Sequence, residues 1–202
     1  MVLTRTLVST GVLGRSRIAI IAGARQVVAG AGMRRTTMTA VARRAGISKA
    51  TLYNYVRDSD DLFLLLLADG CHRAAAAARA AGPVISEQLA AAAGVIADDE
   101  VLTALRANEA QALVPMLALG DGPAWLSVRE LTGELLTAAG LAAEPDSVDL
   151  VLRWLASYVL TPGDPPARQR AARRVSLALS ANVTLQVVSA DRIWSADPSL
   201  TA

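Results

Sequence analysis

The sequence predicts an all-α fold, in which a group of short N-terminal helices is joined by one long helix to a larger helical body. Ala occurs 41 times against 14 Gly and 8 Pro, and only seven residues are aromatic, a composition that favours helix and disfavours a β-sandwich or barrel. The segments between Gly and Pro carry apolar residues at helical spacing, and none alternates as a strand does. With 202 residues, 53% hydrophobic and 19% charged, the chain has enough apolar surface for a real core of one domain or two small ones.

Residues 1–13 show no helical period and read as a tail. Arg15 to Ala31 is the first helix, with Ile18, Ile21, Ala22, Val28 and Ala29 near one face and Arg17 and Arg25 off it. Gly30 and Gly32 end it, because glycine takes the left-handed geometry of a helix terminus. A cationic connector, Met33-Arg34-Arg35, leads to Thr36 and Thr37, whose hydroxyls suit the cap of a second helix. Met38, Val41, Ala42 and Ala45 fall at i, i+3, i+4 and i+7, which makes that helix short with one buried face. Gly46 ends it, Ile47 plugs inward, and Ser48 caps a third helix running to about Tyr55. Two short helices separated by a tight Gly-containing turn describe a helix-turn-helix over about 37–56.

A fourth helix begins at Asp58 or Ser59, with Asp60 and Asp61 in its positive first turn, and runs through the Ala tract to Ala81. Gly82-Pro83 breaks the chain. The rest divides into Val84 to Ala97, Asp99 to about Leu119, Ala124 to Ala139, Pro145 to Leu160 and Pro166 to about Val188. Pro115 predicts a kink or split inside its segment. Residues 196–202 read as a second tail.

Composition removes several function classes. One Cys (Cys71) and one His (His72) leave no disulfide framework, no Cys/His zinc site and little His-based catalysis. No phosphate loop or metal-ligand spacing occurs. Asp98-Asp99-Glu100 is the one acidic cluster, read most simply as solvent-facing or as a helix N-terminal cap. An enzyme is therefore not expected, nor a cofactor or metal. No window reaches a membrane span. Ile18 to Ala24 imitates a short signal-peptide core, but the flanking Arg15, Arg17 and Arg25 fit an amphipathic helix as well, and a cytoplasmic chain is the expectation.

The formal charge of +2 hides a split. Residues 1–67 carry ten cations and three acids, a net of +7, and the remainder ten cations and fifteen acids, a net of −5. A basic front on an acidic body is the pattern of a chain whose one end meets a polyanion; a solvated Arg face, 19 of the 20 cations being Arg, is the other reading.

The run Gly32-Met-Arg-Arg-Thr-Thr-Met-Thr-Ala-Val-Ala-Arg-Arg-Ala-Gly-Ile-Ser-Lys-Ala-Thr-Leu-Tyr-Asn-Tyr-Val-Arg-Asp-Ser-Asp-Asp-Leu62 resembles the N-terminal domain of tetracycline-repressor-like (TetR family) transcriptional regulators. The likeness lies in Thr36-Thr37, Ala45-Gly46-Ile47-Ser48, Thr51-Leu52-Tyr53, Tyr55-Val56 and Leu62. Two positions depart from the family pattern: Val56 stands where Phe is usual, and Ser59 where Lys is usual, with Arg57 supplying a cation two residues earlier. The resemblance implies an N-terminal helix-turn-helix domain, here 14–58, joined by a long helix to a C-terminal helical ligand-binding and dimerisation domain, here 59–195. It implies a DNA-binding regulator, with repression more usual than activation, acting on the bacterial nucleoid.

In a helix-turn-helix the second helix presents its first residues to base edges while flanking groups hold phosphates. Ser48, Lys49, Ala50, Thr51 and Asn54 are the candidates for the groove. Lys49, the only lysine, suits guanine O6 and N7, Thr51 or Ala50 a thymine methyl, and Asn54 an adenine. Tyr53, Tyr55, Thr36 and Thr37 suit phosphate oxygens, alongside Arg34, Arg35 and Arg57. Either tyrosine equally suits the core beneath the first helix. One such motif is too small for operator affinity, so a homodimer on a palindromic operator is expected, its copies about 34–36 Å apart or somewhat more. Val148, Leu152, Leu155 and Val159 form one candidate seam stripe and Val175, Leu179 and Val183 another, with burial inside their own subunit as the alternative. A small apolar effector in the body is expected by resemblance, with His72, Glu109, Met116, Leu117, Trp125 and Trp154 as candidate lining and ordinary core as the alternative. An architectural DNA binder without an effector is the competing function; a closed, fully packed body would favour it, and an apolar cavity beneath the fourth helix would favour the switch.

Overall fold

The computed structural model describes residues 12–117 and 123–194, with side chains described as far as Ala181, those of 12, 13, 115, 116, 123 and 124 excepted. The expected tails, but for Val12 and Leu13, therefore lie outside the described residues. Among those residues every regular element is a helix: α1 (Val12–Ala31), α2 (Met38–Ala45), α3 (Lys49–Tyr53), α4 (Ser59–Ala80), α5 (Ile85–Ala97), α6 (Glu100–Asn108), a 3-10 turn (Ala110–Leu113), α7 (Val114–Leu117), α8 (Pro123–Ala138), α9 (Pro145–Leu160) and α10 (Pro165–Trp194). The all-α expectation holds, and α9 has the bounds expected for it.

The buried line of α1 is Ile20, Ala24 and Val28, spaced four apart. It is rotated from the expected face: Ile18 is 69% exposed and Ala22 is also exposed, whereas Arg25 turns inward. The periodicity was ambiguous because apolar residues occupy most of α1, and the charge on Arg25 is drawn in by carboxylates of the body. Gly32, not Gly30, ends α1. It takes φ 81° and its N–H bonds to Val28 O at 2.8 Å, which only a residue without a Cβ adopts at little cost.

α2 buries Val41 and Ala42 as its spacing requires, with Met38 and Ala45 packed against the same core. Thr37 caps it, its side chain accepting from the Ala40 N–H at 3.2 Å. At its other end Gly46 sits at φ 67°, and the Ile47 N–H returns to Ala42 O at 3.0 Å, closing the turn. α1 and α2 approach so closely at Gly23 that a Cβ there would lie 2.8 Å from the Ala45 backbone nitrogen. Ser48 caps α3 through the Thr51 N–H at 3.0 Å. α3 stops at Tyr53, two residues short of expectation, because the Tyr55 and Val56 N–H groups both return to Leu52 O in a turn.

Leu52, Val56, Leu62 and Leu66 complete a core with Ile20, Val28 and Val41 that continues into the body through Val101, Leu105 and Leu113. Each fully buried Leu or Ile contributes roughly 1.5–3 kcal/mol, so this shared core fastens the head to α6. Asp58 starts α4, accepting from the Asp60 and Asp61 N–H groups at 3.0 and 2.9 Å. Its Ala tract faces α5: Ala74 and Ala78 meet Ala92, and small side chains let the two helices lie close. The Gln88 amide pins the connecting turn by donating to Gly82 O at 2.6 Å.

The segment expected as one helix from Asp99 is three pieces. The break lies at Glu109 (φ −146°, ψ 46°), six residues before Pro115. Pro115 falls at the second position of α7, where its missing N–H is not required by the helix. α9 buries Val148, Val151, Leu152, Tyr158 and Val159, and α10 packs against α5.

Candidate nucleic-acid interface and interior cavity

The surface of α2 and α3 away from the core is polar and cationic. Ser48, Lys49, Ala50 and Asn54 are exposed, Tyr53 is 46% exposed, and Leu52 beneath them is fully buried. Arg34, Arg35 and Thr37 border them, also exposed, and Thr36 is half-buried. Several of these groups are already engaged in shaping the head. Ser48 Oγ and Thr51 Oγ1 hydrogen-bond at 2.8 Å, Thr36 Oγ1 donates to Gly32 O at 2.7 Å, and Arg35 Nε donates to Ala31 O at 3.0 Å. The Arg34 N–H donates to Glu109 Oε2 at 3.2 Å. Tyr55 is half-buried against the head core, so of the two tyrosines Tyr53 is the exposed one. Arg57 donates to Asp61 Oδ2 at 2.9 Å with its side chain 86% exposed. Those bonds hold the Asp61 carboxyl below its ordinary range, first through the Arg57 N–H and then through its guanidinium. Arg43 and Arg44 are two further exposed cations at the end of α2; the expectations omitted them because neither belongs to the turn or the third helix.

A cavity of about 140 Å³, open to solvent on one side, is lined by α4, α5, α6, α8 and α9, with Arg25 of α1 at its edge. Its wall is apolar over most of its extent, with Phe63, Leu66, Ile96, Leu105, Leu135 and Leu155 among the lining. Of the six expected lining residues Trp125 is there. His72 is exposed on the outer side of α4. Glu109 reaches the α1–α2 connector instead, and Leu117 packs on the head core. Trp154 packs edge-on against Tyr158, ring centroids 5.1 Å apart. The Met116 side chain lies outside the described residues. Most of the wall is aliphatic or small side chains, supplied chiefly by α4, α8 and α9 and completed by α5 and α6.

One corner of the cavity is charged. Asp99 Oδ2 accepts from Arg25 Nη2 at 2.9 Å and from Arg73 Nη2 at 2.5 Å, while Asp99 Oδ1 caps α6 through the Leu102 N–H at 3.0 Å. Asp69 takes Arg73 Nε at 2.9 Å and lies 3.8 Å from Arg25 Nη1. Burial works against the Asp99 charge, yet the Leu102 N–H and the two guanidiniums outweigh it and hold the carboxyl below its ordinary range. Arg73 likewise loses some preference for its charge to burial and regains more from Asp99 and Asp69. Burial alone pushes the Cys71 thiol, on the same wall, up to about 11. The cap reading of Asp99 was correct, but the convergence of Arg25 and Arg73 on it joins residues 74 and 26 positions apart and carries no sequence signal.

The expected seam stripes turn inward. Val148, Leu152, Val159 and Leu179 are buried within their own subunit, and Leu155 and Val175 pack against the same interior; the Val183 side chain lies outside the described residues. Burial inside the subunit leaves Val148, Leu152, Val159 and Leu179 little surface of their own, while Leu155 and Val175 are half-buried. Among the described residues the large apolar side chains that α9 and α10 expose are Leu150, Leu160 and Leu177, at 39%, 43% and 69%.

A helix-turn-helix head thus stands on a helical body that carries a cavity. Residues 20–66 match the family model of bacterial regulatory proteins, tetR family, over the segment that carries the sequence resemblance. Solved structures agree in fold. The TetR family repressor AlkX from Dietzia sp. strain DQ12-45-1b, implicated in biodegradation of n-alkanes, superposes with a TM-score of 0.66 at 18% identity, over 81% of this chain and 97% of that one. A TetR transcriptional regulator from Rhodococcus sp. RHA1 gives 0.59 at 18% identity, over 83% and 97%. The R. erythropolis transcriptional repressor QsdR gives 0.54 at 22% identity, over 82% and 94%. No curated protein matches the chain by sequence. Among the described residues no helix is long and apolar enough to cross a membrane.

Proposed function

We propose that the chain is a transcriptional regulator of the bacterial cytoplasm that binds a palindromic operator on the nucleoid as a homodimer and releases it when a small apolar molecule fills the cavity, and that it is not an enzyme. The observation that carries this is the exposed set Lys49, Ala50, Tyr53 and Asn54 standing on a buried Leu52, within the first 67 residues, whose net charge is +7. In this reading residues 14–58 are the DNA-binding domain and 59–195 the effector-binding and dimerisation domain. Ser48, Lys49, Ala50, Thr51 and Asn54 read bases; Arg34, Arg35, Thr36, Thr37, Tyr53 and Arg57 hold phosphates. Tyr55 serves mainly as core.

The cavity against α4 supports a ligand-controlled repressor over a constitutive architectural protein, whose body would be packed throughout. A ligand shifts the balance by binding the DNA-free arrangement more tightly than the DNA-bound one. The subunits join through the outer faces of α9 and α10, where Leu150, Leu160 and Leu177 are exposed. Selection of duplexes from a randomised pool with the purified chain, followed by footprinting, tests the reading. A two-fold symmetric protected site is the expected result; no enrichment of any sequence would remove it.

A further inference from the structure

Two arginines on a cavity wall suggest at first sight a site for a carboxylate. The charge balance argues otherwise. Arg25 and Arg73 face Asp69, Asp99 and Glu100, with Glu100 Oε1 3.3 Å from Arg25 Nη2, and the Arg106 charge also feels Asp99, so each cation at the corner already has a carboxylate beside it. Both Asp99 oxygens are used, one by the arginines and the other by the Leu102 N–H. Thr132, the wall's hydroxyl, donates to Val128 O at 2.8 Å. Among the described residues the buried side-chain nitrogen and oxygen atoms without a partner are Arg17 Nε and Gln88 Oε1, and neither residue lines the cavity. An entering anion would shed its hydration and meet cations that already have carboxylate partners.

We infer that the cavity takes uncharged apolar molecules of about the size of benzene, and that Asp99 sets this selectivity by occupying both arginines. The size follows from the volume: about 140 Å³ here, close to the ~150 Å³ of an apolar protein cavity that holds benzene. Asp99 is thus a specificity-determining residue that a ligand need not touch. The inference rests on the reading of the cavity as an effector site and gives that site a ligand class.

Toluene and benzoate test it, since they share a ring and differ in charge. Cys71 is the only cysteine and lies on the cavity wall, so the rate of its alkylation by N-ethylmaleimide in the full chain reports occupancy at this place, with calorimetry giving the affinity. Toluene is expected to slow alkylation saturably, and benzoate to bind at least about tenfold more weakly because its charge finds no unpaired cation. Asp99→Asn removes the one carboxylate that both arginines share, leaving Asp69 and Glu100 beside them, and is expected to strengthen benzoate binding several-fold while toluene changes little; Asp99→Glu, which keeps the charge, retains the exclusion. Benzoate protecting as well as toluene, protection by neither, or an unchanged benzoate affinity in a folded Asp99→Asn chain would each overturn the inference. If Asp99→Asn does not fold, the unaltered chain's toluene-to-benzoate ratio and Asp99→Glu still decide it. Duplex selection is scored separately: loss of the probe preference with duplex selection intact removes the ligand class alone, and loss of duplex selection removes the regulator alone.

Discussion

Asp98 and Asp99 are adjacent in the chain and hold arginines from different parts of the fold. Asp98 binds Arg168 of α10 through both oxygens, at 2.9 and 3.2 Å, and Asp99 binds Arg25 of α1 and Arg73 of α4. The turn between α5 and α6 is thereby the point where the head, the cavity wall and the last helix are tied together. In the proposed mechanism, a ligand that moves α4 relative to α6 disturbs the carboxylate that also holds α1.

The two carboxylates differ in what their loss does. Asp99→Ala leaves Arg25 and Arg73 without their buried partner and is expected to destabilise the fold by about 2–4 kcal/mol in urea titration. Asp98 is mostly solvated, at 66% exposure, and Arg168 keeps the carbonyls of Pro162 and Gly163, so Asp98→Ala is expected to cost only about 1 kcal/mol. Equal losses would show that the Asp99 cluster is no more than a surface network. The pH dependence has a definite sign. The folded-state pKa of Asp99 lies below its ordinary value of 3.8, so its contribution is complete above that value and fades as pH falls below it. Acid titration of Asp99→Asn is expected to lack that part of the stability loss.

Gly23→Ala is expected to destabilise the head by roughly 1–3 kcal/mol, since the added carbon meets backbone that cannot swing aside. Thermal melting measures it, and Gly30→Ala serves as control because a Cβ there meets nothing within 4 Å. A Gly23→Ala chain melting with the parent would mean that α1 and α2 separate freely.

Lys49→Ala is expected to weaken binding to the selected duplex by about 1–3 kcal/mol and to relax sequence preference, because a base contact is lost. Tyr53→Phe is expected to weaken all duplexes about alike, as loss of a phosphate contact does. Gel-shift titrations on matched and scrambled duplexes separate the two. A uniform loss for Lys49→Ala would assign it to the backbone.

Leu177→Asp places a charge on the exposed face of α10 and is expected to convert a dimer to a monomer in sedimentation equilibrium, with the helical circular dichroism spectrum intact. A dimer that survives would move the seam to another face.

The head was legible in the sequence because its geometry is local. Thr37 and Ser48 cap helices through residues three positions on, and Gly46 takes the left-handed turn that its place after Ala45 suggests. The body was legible as helices but not as a site. Helical spacing marks an apolar face without saying whether that face meets its own core, a second subunit or a cavity, which is why Val148 and Leu152 turned inward. The α1 face is not fixed by its own residues, since Ile18, Ile20 and Ile21 offer rival stripes; the face that is buried places Arg25 on Asp99, far along the chain.

The connector between α1 and α2 is fastened as well, by the Arg34 N–H on Glu109. Together with Arg25 on Asp99, this gives the head two polar anchors on the body. Two anchors define an axis, so a movement that keeps both is a roll about the line between them. Such a roll would turn α3 relative to the body while both contacts hold, and loss of the Arg25 contact would leave the head hinged on Glu109 alone as its polar link.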